Sequence, residues 1–247
     1  MKKAQFFYRV QLDTKFSLPA GRSLEFINMD ITYLGHSCFK LRSANATVLT
    51  DPYPNDIGLK MPSVSADIIT VSHTQHNDHN AIDKVSGTAR REKPFVITAP
   101  GEYEIGGVSI FGLTSYHDDK KGQERGANTL YVIHIDEVKV AHLGDLGHML
   151  TDKQLTELDG IDVLLVPIGG GYTIDSKIAQ EVINAVQPAY AIPMHYKTPS
   201  HNSSFSDLTD LKTGFEQMGQ ALPEIQEKLS VTITSLPEET EMVVLSS

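Results

Sequence analysis

An apolar run, Ile68-Ile-Thr-Val71, passes without a break into Ser72-His73-Thr74-Gln75-His76-Asn77-Asp78-His79. The run is short, β-branched and bounded by polar residues, the pattern of a buried strand. At its end three histidines and an aspartate fall between positions 73 and 79. Neutral imidazole and carboxylate are the donors that zinc, iron and manganese accept. A loop at a strand end can aim several of them at one point while the sheet holds the backbone still. The ordinary alternative is a solvated loop that happens to be rich in histidine. Three such residues and an aspartate directly after an apolar strand favour a metal.

The rest of the chain supplies the frame. Strand signals rich in Val, Ile and Thr recur at 31–34, 38–41, 47–50, 67–71, 95–98, 108–113, 129–135, 138–142, 163–167, 189–193 and 231–234. Helical spacing appears only later. Thr151 is placed to cap a helix over 152–158 and Asp175 one over 176–186, with Pro188 just past its end; Ser206 is expected to cap a third helix running to Met218. Strands first, then helices between later strands, with no Gly/Ser linker, predict one α/β domain of packed sheets over residues 29–247. Residues 1–28 are expected to be a poorly ordered extension, with an edge strand over 6–12 as the alternative.

Composition removes several function classes. With 21 Lys and Arg against 31 Asp and Glu, the net charge of −10 disfavours a dedicated nucleic-acid binder. It leaves room for a metal enzyme, because the metal supplies local positive charge. The one cysteine, Cys38, excludes an intrachain disulfide and a Cys-based zinc site, and fits a reducing compartment. No apolar run approaches the roughly 18 residues of a membrane span, and no secretory signal is visible. A cytoplasmic protein with a small-molecule substrate is therefore expected; homo-oligomerisation is left open.

Three further residues follow predicted strand ends: His117 after 108–113, Asp145 after 138–142 with Gly144 allowing a sharp turn, and His195 after 189–193. Singly, each reads as a loop histidine, a turn former and a packed strand end. If those strands run the same way, all three side chains reach one rim together with the His/Asp cluster. His36, Asp51, His142, His148 and Lys197 are candidates to orient ligands or meet a substrate anion.

The order of these residues resembles the metallo-β-lactamase superfamily, whose pattern is H-x-H-x-D-H, a lone His, an Asp after Gly, and a final His. Leu34-Gly-His-Ser-Cys-Phe39, Thr50-Asp-Pro-Tyr53, Pro100-Gly-Glu-Tyr-Glu104 and Met194-His-Tyr-Lys197 are similar to a branch of zinc-dependent hydrolases like L-ascorbate-6-phosphate lactonase. The resemblance implies an αββα sandwich with two divalent cations at one edge, zinc above manganese or iron. It implies that His73, His76 and His117 hold one cation, that Asp78, His79 and His195 hold the other, and that Asp145 bridges them. It also implies a metal-bound hydroxide that cleaves an ester, lactone or phosphoester of a small anionic substrate, with Asp78 as general base.

One departure stands out. The superfamily separates its first two histidines by one residue, whereas Thr74 and Gln75 both lie between His73 and His76. A one-residue bulge is expected to restore the aim of both rings. The competing readings are a phosphodiesterase or nuclease acting on RNA or DNA, and a metal-binding relic weakened by this insertion.

Overall fold

The structure, a computed structural model, describes residues 28–75 and 77–247. The expected extension over 1–28, apart from its last residue, and the alternative strand over 6–12 lie outside the described residues, as does His76. Two sheets dominate. The first has the order β12 (Leu229–Val231), β1 (Met29–Gly35), β2 (Cys38–Arg42), β3 (Thr47–Thr50), β4 (Ile68–Thr70) and β5 (Phe95–Ile97). The second has the order β13 (Glu241–Met242), β11 (Tyr190–Met194), β10 (Val163–Pro167), β9 (Val138–His142), β8 (Ala127–Ile135), β7 (Val108–Tyr116) and β6 (Gly101–Ile105).

Burial follows the pattern of the residues. Strand β1 alternates, with Met29, Ile31 and Tyr33 buried between the sheets and their neighbours half-exposed, as a strand with one wet face must. Strand β10 is buried at every residue, because its parallel neighbours β9 and β11 flank it and helices cover its outer face. The largest hydrophobic cluster unites the inward side chains of both sheets with α2 (Ser176–Val186) and α3 (Leu211–Met218). A second cluster covers the outer face of the first sheet, and there Tyr53, Ile57, Leu59 and Phe205 come from irregular segments and single 3-10 turns. The sandwich expected from the sequence is the one observed.

The short α1 (Asp152–Glu157) starts at Thr151, which forms a capping box with Gln154, and α2 starts at Asp175. Helix α3 differs from expectation. Its cap is Asp210, whose carboxylate accepts the Thr213 N–H, and Ser206 instead closes the 3-10 turn Ser203–Phe205. The apolar residues at 208, 211 and 215 keep helical spacing across the break, which hides it in the sequence. The strand expected over 231–234 ends at Val231 and gives way to a 3-10 turn, Ile233–Ser235. Strand β6 was not anticipated: Glu102-Tyr103-Glu104-Ile105 does alternate, with exposed glutamates and half-buried Tyr103 and Ile105, but it holds only one β-branched residue.

Strand direction positions the site. In the first sheet β1 is antiparallel to β2 and β2 to β3, while β3 and β4 are parallel. In the second, β7 is antiparallel to β8 and β8 to β9, while β9, β10 and β11 are parallel. Strands β1, β3 and β4 therefore finish at one edge of their sheet, and β7, β9 and β11 at one edge of theirs. Among the described residues, His73, His117, Asp145 and His195 sit just past one of these ends, and Asp78 and His79 follow in the 3-10 turn Asn77–His79.

Candidate metal centre

The centre is assembled by short turns that leave their strands abruptly. His36, Asp51 and His195 each adopt a left-handed backbone, with φ of 55°, 37° and 54°. That region is sparsely populated by residues other than glycine and is held only when the surroundings over-determine it. Gly144, with φ of 53°, makes the turn before Asp145, and a Cβ there would lie 2.4 Å from Asn128 Oδ1 and 2.5 Å from Ser72 Cβ.

Asp145 is the focus. Its Oδ2 lies 3.0 Å from His117 Nε2, 3.4 Å from both His79 Nε2 and His195 Nε2, and 3.9 Å from His73 Nε2. These four imidazoles come from both sheets and, with Asp145, all are buried. Asp78, half-buried, places Oδ2 3.9 Å from His36 Nε2.

Behind the donors stands a layer that fixes their orientation. The fully buried Asp51 accepts from His79 Nδ1 at 3.0 Å, from the Ser72 amide at 2.7 Å and from Ser72 Oγ at 2.6 Å. A carboxylate on Nδ1 holds the proton there and turns the Nε2 lone pair inward. Ser72 Oγ also lies 3.0 Å from His73 Nδ1. The buried Asn128 accepts from the Asp145 amide at 3.0 Å and donates to the Leu143 carbonyl at 3.0 Å. Neither Ser72 nor Asn128 was singled out in the sequence; nothing in their local spacing separates them from other strand-end polar residues.

The electrostatics are those of a centre made for positive charge. Burial disfavours a charged Asp145, yet His195, His79 and His117 hold its carboxyl well below the usual range. Burial likewise opposes charge on His79, but Asp145 and Asp51 outweigh it and raise the imidazole well above its usual value. His73 is pushed down to about 4 by burial and by His79. Asp145 Oδ1, Asp78 Oδ1 and His195 Nδ1 are buried and find no hydrogen-bond partner among the described residues. Buried carboxylates without a fixed cation and with orphaned oxygens are costly. Divalent cations would relieve that cost, and the donors present are of the right kind. The residues therefore fit a metal.

The expected orienting residues divide. Asp51 lies against His79 Nδ1. His142 acts on the turn rather than on Asp145: Nε2 donates to the Ser37 carbonyl at 2.8 Å, and Nδ1 accepts the Gly144 amide at 3.2 Å. His148 does not approach Asp145 and instead fixes the end of β7, with Nε2 3.1 Å from Ser115 Oγ. Lys197 donates to the Ser206 carbonyl at 2.9 Å and does not line the cavity over the centre, because the chain after His195 turns back toward α3. His36, expected to orient ligands, stands among them. His201 was missed; its ring lies 5.7 Å from that of His36.

A cavity of about 760 Å³ opens over Asp78, His117, Asp145 and His195. Gln75, one of the two residues between the first histidines, is on its wall, so the insertion reaches the cavity whatever it does to the rings. Arg125 is the one Lys or Arg among the described residues lining it, and its guanidinium lies 5.4 Å from the centre of the Tyr172 ring.

Comparison with known proteins places the fold among metal-dependent hydrolases and their relatives. Residues 30–195 match the model of the beta-lactamase superfamily domain. A UPF0173 metal-dependent hydrolase of Carboxydothermus hydrogenoformans is 31% identical over 194 residues, which cover 69% of this chain and 85% of that protein. A metallo-β-lactamase-superfamily protein of Thermotoga maritima is 36% identical with a TM-score of 0.68, over 88% of this chain and 98% of that one. The metallo hydrolase Igni18 of Ignicoccus hospitalis, at 22% identity and a TM-score of 0.57, shares the fold over 83% of this chain and 98% of its own.

Proposed function

The chain belongs to the beta-lactamase superfamily, and from that premise we propose that it is a metal-dependent hydrolase cleaving an ester, lactone or phosphoester of a small anionic molecule. The observation that carries this reading is the convergence of four buried imidazole nitrogens, drawn from both sheets, on Asp145 Oδ2 at the floor of an open cavity.

His73 and His117 would hold one cation and Asp78, His79 and His195 a second, with Asp145 between them. When bound, such a pair supplies Lewis acidity and brings the pKa of a water down to about 7. The chain's own groups do the rest. Asp51 keeps the His79 proton on Nδ1. Asp78 Oδ1, buried and unpartnered among the described residues, accepts the proton that the attacking water loses as its oxygen bonds to carbon or phosphorus. When the scissile bond breaks, that proton passes to the leaving oxygen. Arg125, exposed beside Tyr172, offers a planar two-pronged donor to a carboxylate or phosphate on the substrate. A single cation on the wall suits one anionic group better than a polyanionic backbone, which favours a small molecule over RNA or DNA.

Elemental analysis of the purified protein, beside Asp145→Ala and His195→Ala, tests the centre. About two metals per chain are expected, with loss in both variants. A panel of lactones, phosphodiesters and sugar phosphates, assayed with zinc, manganese or iron, tests the reaction. Full metal content in both variants, or no turnover with any metal, would overturn the proposal.

A further inference from the structure

We propose that His36 is itself a metal ligand, joining Asp78, His79 and His195 on the second cation. The inference rests on the metal-centre reading above and adds a donor from β1, a strand that supplies none of the ligands implied by the sequence pattern.

His36 is fully buried, and its backbone is clamped from two directions: its carbonyl accepts the Tyr33 hydroxyl and the His195 amide, each at 2.8 Å. Phe205 sets its ring edge-on, with centroids 5.3 Å apart. The clamp aims Nε2 inward, 3.0 Å from His79 Nε2 and 3.9 Å from Asp78 Oδ2, and the ring lies 4.3 Å from that of His195. One ring nitrogen from each of His36, His79 and His195 falls within 4.8 Å of the others. With bonds of roughly 2.0–2.2 Å, neighbouring donors on one cation stand about 3–3.5 Å apart. The 3.0 Å spacing is therefore that of donors sharing an ion.

A plain hydrogen bond between His36 and His79 is the competing account. His79 Nδ1 is committed to Asp51, so its Nε2 carries the lone pair that the superfamily pattern assigns to the metal. A proton from His36 Nε2 would occupy that lone pair and exclude the cation. Once the cation is bound, an N–H on His36 Nε2 would point at a nitrogen already coordinated. The tautomer that leaves Nε2 bare removes this conflict. It puts the proton on Nδ1, which is buried without a partner among the described residues in either case. Only coordination gives the inward lone pair an occupant. The second cation then has five protein donors, with Asp145, instead of four.

Affinity alone does not separate a ligand from a positioning residue, since loss of either weakens metal binding ten- to a hundredfold. The deciding measurement is made on the wild-type chain, labelled with ¹⁵N-histidine and loaded with ¹¹³Cd. One-bond cadmium–nitrogen coupling is expected at His36 Nε2 as well as at His79 and His195, with His36→Gln losing only the first. Coupling at His79 and His195 but not at His36 would overturn this inference and leave the centre intact. Failure to bind cadmium at all would overturn both.

Discussion

Asp118, next to His117, and Arg125 show how residues with no motif of their own can shape the wall of a cavity. The Asp118 carboxylate accepts backbone N–H groups from Lys120, Gly122, Glu124 and Arg125, and so folds the loop that carries Arg125 to the cavity. Burial opposes its charge, but these four donors together outweigh it and hold its pKa down to about 2. A carboxyl depressed in the folded state stabilises above its unfolded value of about 3.9 and loses that contribution as pH falls through the folded value. Loop order, read by amide exchange at Gly122 and Glu124, is accordingly expected to be unchanged down to about pH 4 and to fail toward pH 2. Asp118→Asn should loosen it at neutral pH. Arg125→Ala is expected to raise KM for a phosphate- or carboxylate-bearing ester about tenfold while leaving kcat and the turnover of a neutral ester alone, since a rim cation binds ground and transition states alike. Equal KM for charged and neutral esters in wild type and variant would remove Arg125 from recognition. Neither residue is legible in the sequence as functional. Lys197 looked better placed, being two positions from His195, but its side chain is taken by Ser206.

Among the elements, the strand ends do the work, and they do it through turns with little tolerance. Parallel pairing of β3 with β4 sets Thr50 beside Thr70, which brings the Asp51 carboxylate onto the Ser72 amide and, one residue on, orients His73. The turn after β9 is equally constrained. An alanine at Gly144 would drive its Cβ into Asn128 and Ser72 while forcing a positive φ. Gly144→Ala is expected to cost about 1–3 kcal/mol in denaturant unfolding and to lower metal content by displacing Asp145. Wild-type metal content in the folded variant would refute this account of the turn. The positions of most strands and of α2 were readable, because apolar spacing and an Asp cap are local signals. The start of α3 was not, because Asp210 and Ser206 are both acceptable caps and tertiary contact chose between them.

In the whole molecule, the proposed centre would also be a fastening. His73, Asp78, His79 and the inferred ligand His36 belong to the first sheet; His117, Asp145 and His195 belong to the second. Cations bound between them would tie the two sheets at one edge, and whatever binds the folded state alone adds RT ln(1 + [L]/Kd), about 2.7 kcal/mol at a hundredfold excess over Kd. Chelation is therefore expected to lower the thermal midpoint by several degrees, reversibly on re-addition of metal. An unchanged midpoint after complete chelation would show that the sheets are not joined through the centre. Among the described residues no helix is long and apolar enough to cross a membrane.

The resemblance to a metal-binding superfamily implied the sandwich, whereas the sequence by itself determined an α/β domain of packed sheets, most of its strands, and a run of His and Asp residues. These are properties of local spacing and side-chain chemistry, and each can be read along the chain. Only the tertiary structure decided which polar residues meet. That His36 faces His79, that Asn128 holds Asp145, and that Arg125 rather than Lys197 reaches the cavity all depend on strand direction and turn geometry. Those contacts join positions far apart in the chain, and local spacing carries no record of them.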